Sequence, residues 1–100
     1  MSSAVRQSLM NGNVNILDSD TGTKHRTSIR LEKVEWDALR KICAINRISI
    51  HQFCTFADQS PRRKEHSRTS RIRCAVLQYC LDNGDMFDLS KKVEQQYWQR

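Results

Sequence analysis

Apolar and polar positions recur along the chain with two different periods. Arg26-Thr-Ser-Ile-Arg-Leu31 alternates, with Thr27, Ile29 and Leu31 on one face and Arg26, Ser28 and Arg30 on the other, the two-residue period of a half-buried strand. Directly after it Trp36, Leu39, Ile42 and Cys43 recur at steps of three and four, and Ala38 and Ile45 widen the stripe, which predicts a helix over about Lys33–Asn46. Glu32, Glu35 and Asp37 at its start and Arg40, Lys41 and Arg47 at its end suit the helix dipole. A second helix starts at Ser49 and runs to about Asp58. There Ser49-Ile-His-Gln52 has the form of a capping box, and Ile48 and Phe53 are spaced to staple across it. A third opens at Thr69 or Ser70, carries Ile72, Ala75, Val76, Tyr79 and Cys80 on one face, and is expected to end in a left-handed cap at Asn83-Gly84. Leu89–Gln99, with Val93, Tyr97 and Trp98, shows a weaker helical pattern.

The intervening stretches carry no such period. Residues 1–23 are rich in Ser, Asn, Gly and Thr, with little apolar content besides Val14, Ile16 and Leu17. They read as a flexible N-terminal arm holding at most a short strand at Asn13–Leu17. Residues 60–68 are a basic loop around Pro61, which pushes Ser60 out of helical geometry. The expected division is an arm at 1–23, a folded domain at 24–82 and a C-terminal tail at 83–100, in a mostly α chain with one β-strand. A lone strand leaves backbone donors and acceptors unpaired. The least costly remedy is pairing with the same strand of a second copy, which gives a homodimer with an intermolecular two-stranded antiparallel ribbon. A competing arrangement is a monomer in which Asn13–Leu17 pairs with Arg26–Leu31 as a hairpin, an RNA-binding or purely structural domain.

Charge changes this picture by where it lies. The 100 residues hold 17 basic and 11 acidic side chains, a formal +6. Residues 24–82 alone contain thirteen bases against six acids, so the whole excess sits on the folded part, as expected of a surface that attracts a polyanion. No run approaches the roughly 18 apolar residues of a membrane span, and residues 1–20 lack the apolar core of a secretion signal. The expectation is a soluble, cytoplasmic protein with reduced cysteines.

With these elements in place the chain resembles the ribbon-helix-helix DNA-binding family, the Arc/MetJ-like repressor superfamily. The likeness runs through Arg26-Thr-Ser-Ile-Arg-Leu-Glu32 as ribbon, Val34-Glu-Trp-Asp-Ala-Leu-Arg-Lys-Ile42 as first helix and Asn46-Arg-Ile-Ser-Ile-His-Gln-Phe53 as turn and second helix. It is most similar to a bacterial branch with a later segment like Ser70-Arg-Ile-Arg-Cys-Ala-Val-Leu77. Pro61 is a departure, because the family's second helix is normally continuous. The resemblance implies a homodimeric DNA-binding protein, a transcriptional repressor or autoregulator, whose ribbon enters the major groove. Arg26, Ser28 and Arg30 then stand where the family reads bases, and Ser49, Ile50 and His51 where it holds a backbone phosphate. Lys24, Arg47, Arg62, Arg63 and Lys64 are further phosphate candidates. The dimer core is expected from Thr27, Ile29, Leu31, Trp36, Leu39, Ile42, Cys43, Ile48 and Phe53.

Other chemistries find little support in the residues. His25, His51, His66 and the four cysteines have no metal-ligand spacing, so no metal or cofactor is expected. No nucleophile, base and orienting group suggest an enzyme, and three glycines form no phosphate-binding loop. The alternative role is an antitoxin or interaction module, in which 85–100 folds onto a partner protein through Met86, Phe87, Leu89, Val93, Tyr97 and Trp98.

Overall fold

A computed structural model describes residues 8–84, which form β1 (Leu9–Leu17), β2 (Lys24–Glu32), α1 (Lys33–Asn46), α2 (Ile50–Gln59) and α3 (Arg68–Asp82). The helix expected at Leu89–Gln99 and the partner-binding segment 85–100 lie outside the described residues. The two strands pair as an antiparallel hairpin, with Leu9 opposite Glu32 and Leu17 opposite Lys24. This corrects the expectation of a single strand: Leu9–Leu17 is a nine-residue strand where an arm was expected, and it pairs with β2 within the chain, as in the competing hairpin arrangement. The physical reason is a second alternation. Met10, Gly12, Val14 and Ile16 share a face, and the register puts them opposite Leu31, Ile29, Thr27 and His25. Val14 and Ile16 thereby join Ile29 and Leu31 in one core. Burying two such side chains contributes roughly 1.5–3 kcal/mol each, which secures a strand whose asparagines are poor strand formers.

The connecting turn is built locally. Asp18 exchanges backbone hydrogen bonds with Gly22 and Thr23, its carboxylate accepts the Asp20 N–H at 2.9 Å, and Gly22 supplies a positive φ of 73°. Gly12 has a different duty. A Cβ there would overlap the Trp36 ring, which lies across the strand while its Nε1 donates to the Met10 carbonyl at 2.9 Å.

Leu39, Ile42, Cys43 and Trp36 of α1, Phe53, Cys54 and Ala57 of α2, and Ile72, Val76 and Cys80 of α3 complete the core beneath the ribbon. Of the positions expected to be buried in a dimer, seven are buried within this one chain, Thr27 is half-buried and Ile48 is exposed. The Ser49–Gln52 capping box forms as expected, each residue's side chain bonding the other's backbone N–H at 2.8 and 3.0 Å. Two other helix ends differ. The left-handed cap lies after α1 on Arg47, at φ 56°, where Ile48 N–H reaches the Cys43 carbonyl, and Asn83 after α3 has φ −113°. α3 starts one residue before Thr69, capped by Ser67, whose hydroxyl accepts the Ser70 N–H.

Candidate functional site

The outward face of the hairpin follows from its register. Arg26, Ser28 and Arg30 all lie there and are exposed, and β1 adds Asn15, Asn13 and Asn11 directly opposite them. Asn11 and Asn13 are exposed and Asn15 is half-buried. The asparagines were missed when residues 1–23 were read as an arm. The alternation of Asn11, Asn13 and Asn15 with Gly12, Val14 and Ile16 was the available signal.

α2 lies along the open edge of β1. His51, Thr55 and Gln59, four residues apart, present one stripe to that edge. His51 Nδ1 accepts the Asn15 N–H at 3.0 Å, Thr55 Oγ1 accepts the Leu17 N–H at 3.1 Å, and the Gln59 amide donates to the Leu17 carbonyl. This pairing blunts a strand edge that would otherwise be open. It also fixes the start of α2 beside the ribbon's outer face. Between them is a concavity of about 670 Å³ lined by Asn15, Leu17, Lys24, Ser49, His51 and Phe56 among others. Ser49, His51 and Lys24 are thus brought together. The capping box engages the N–H groups of Ser49 and Gln52, whereas those of Ile50 and His51 have no acceptor among the described residues. Such first-turn donors, with the positive end of the helix dipole, suit an anion.

The remaining phosphate candidates stand apart from this concavity. Arg47 is exposed in the α1–α2 turn. Arg62 and Arg63 line a separate hollow with Phe53, Ala75 and Tyr79, and Lys64 is exposed in the connection between α2 and α3.

Acidic partners divide the basic residues further. Asp58, whose side chain is only 10% exposed, accepts from Arg68 Nε at 3.1 Å and Arg71 Nη2 at 2.7 Å. Burial by itself raises its pKa, but the hydrogen bonds and charges of the two arginines outweigh burial and hold the carboxyl below its ordinary value. Arg73 meets Glu35 at 2.7 Å, Arg63 meets Glu65 at 3.6 Å, and Lys33 and Arg40 share Asp37. Lys24, Arg26 and Arg30 have no acidic partner within 4 Å among the described residues.

All four cysteines are unbridged, and burial pushes the Cys54 thiol up to about 12 and that of Cys43 upward, so neither is a ready thiolate. No three metal-ligating side chains cluster among the described residues, and no helix there is long and apolar enough to cross a membrane. The profile of one family, described as a ribbon-helix-helix domain, matches residues 22–80. No curated protein and no solved structure matches the chain.

Proposed function

The chain belongs to the ribbon-helix-helix domain family, whose members in general are DNA-binding regulators, and from that membership we propose that it binds double-stranded DNA sequence-specifically through its β-ribbon. The observation that carries this reading is the ribbon's outer face, where exposed Lys24, Arg26 and Arg30 lack acidic partners among the described residues and Lys24 stands beside the start of α2. A two-stranded ribbon fits the roughly 12 Å major groove. Arg26 and Arg30 fork onto guanine O6 and N7, Ser28 bonds a base edge, and the Ile50 and His51 amides with Lys24 hold phosphate oxygens. The role is that of a repressor or autoregulator, non-catalytic and cytoplasmic, which acts by occupying its operator.

The family generally dimerises, and a homodimer is part of the proposal. Each copy brings a hairpin of its own, in which β1 takes one edge of β2. The hairpin also favours a second reading, the monomeric RNA-binding or structural domain. Chemistry weighs against double-stranded RNA, since the deep, narrow major groove of an A-form duplex does not admit side chains on such a ribbon.

The test is a titration of the full chain against selected DNA duplexes and RNA duplexes of the same sequence, with sedimentation of the free and bound protein. Arg26→Ala and Arg30→Ala should each cost about 1–3 kcal/mol of DNA affinity and relax preference at one base position. Unchanged affinity and preference in both variants would remove the ribbon as the reader. Equal binding of RNA, or a monomer at micromolar concentration with and without DNA, would favour the second reading.

A further inference from the structure

We propose that Asn11, Asn13 and Asn15 of β1 read bases alongside the arginines of β2, so that a single chain carries a complete reading ribbon for an asymmetric, adenine- and guanine-containing site. This rests on the reading of the ribbon as the DNA-contacting surface, and it adds a second set of readers and a class of sequence.

The register makes three rows on the outer face, Asn11 beside Arg30, Asn13 beside Ser28 and Asn15 beside Arg26. Directly opposed side chains of an antiparallel pair start about 4.5–5.5 Å apart. Successive rows are about 6.8 Å apart, close to two base-pair steps of about 3.4 Å. The six side chains therefore span about four base-pair steps. An asparagine amide sets a donor beside an acceptor and matches N6 and N7 of adenine, as the arginine fork matches O6 and N7 of guanine.

The asparagines are hard to explain by folding. Asparagine is depleted in strands, yet it fills three alternate positions of a regular one. None of the three side chains makes a hydrogen bond among the described residues, while the backbone of the same strand is bonded by Trp36, His51, Thr55 and Gln59. The protein thus fixes the strand and leaves its amides facing outward, as a base reader must be held. A ribbon made from two copies of β2 would present Arg-Ser-Arg twice and favour a sequence with two-fold symmetry. This ribbon presents Arg-Ser-Arg on one strand and Asn-Asn-Asn on the other, which has no such symmetry.

The experiment is selection of bound duplexes by the full chain, followed by titration of Asn11→Ala and Asn13→Ala with their unfolding midpoints measured. The expected site lacks a dyad within the span of one ribbon and contains required adenines. Each variant should lose about ten-fold or more in affinity for that site, keep its midpoint, and relax selection at one adenine. Replacing that adenine by 7-deazaadenine should weaken the unaltered protein comparably and the matching variant little, an arm that does not depend on any variant folding. The proposal is overturned by a palindromic site centred on one ribbon, or by asparagine variants and 7-deazaadenine that change nothing while Arg26→Ala and Arg30→Ala relax preference. If the arginine variants are silent as well, it is the ribbon's role on DNA that fails.

Discussion

Lys24, Arg26 and Arg30 on the ribbon and Arg63, Arg68, Arg71 and Arg73 around the α2–α3 connection carry the same charge in different surroundings. Each of the second group meets a carboxylate, and two of them converge on Asp58. None of the first group does so among the described residues. The arginines on Asp58 tie the start of α3 to the end of α2 across the segment that Pro61 interrupts. Their field is largely cancelled where it arises, whereas the field of the ribbon is directed outward. An excess of positive charge therefore has two meanings within 60 residues, and the position of the acids separates them.

The largest effect that should set the groups apart is on stability. Asp58→Ala removes the carboxylate that two part-buried arginines share, leaving Arg71 only the Glu65 and His66 carbonyls, and should cost about 2–3 kcal/mol, lowering the thermal midpoint by on the order of 10 °C. Where the variant is still folded, its sequence preference on DNA should be unchanged. Retained stability with lost preference would break the comparison. A smaller effect should appear in acid. Because Asp58 titrates below its ordinary 3.8 when folded, its contribution is fully present above that value and is lost as pH falls through the folded pKa. The stability gap between the unaltered protein and Asp58→Asn, followed by urea unfolding, should close as pH drops below about 4. A gap that stays constant would mean that the pair contributes nothing through the carboxylate charge.

How far this division could be read from the sequence depends on the range of the interactions. β2, α1 and the capped start of α2 rest on alternation, a helical stripe and a box closed within four residues, and all three were legible. So was the outward position of Arg26, Ser28 and Arg30. β1 was legible only in part, as the short strand at Asn13–Leu17, because nearer its start the apolar face holds Gly12, whose small size matters only once Trp36 is known to lie over it. Asp58 looked like the last residue of an ordinary helix, since Arg68 and Arg71 are ten and thirteen positions away and meet it only after the chain turns at Pro61. The left-handed residue after α1 carried no glycine to announce it, as Arg47 takes that conformation itself.

The smallest effect concerns single phosphate contacts. Lys24 lines the concavity beside Ser49 and His51, while Arg63 faces Glu65 and is mostly covered. Lys24→Ala should therefore weaken binding to every duplex alike and reduce the slope of log affinity against log salt by about 0.9, the value of one phosphate neutralised. Arg63→Ala should leave that slope within error, although both variants remove one positive charge. Affinities measured across a range of salt concentrations, on a selected and a scrambled duplex, separate the two cases. Equal slope changes would show that net charge alone governs the encounter and that the ion pair with Glu65 does not withhold Arg63 from DNA. A change confined to Lys24 would locate the phosphate track on the side of the ribbon where α2 begins.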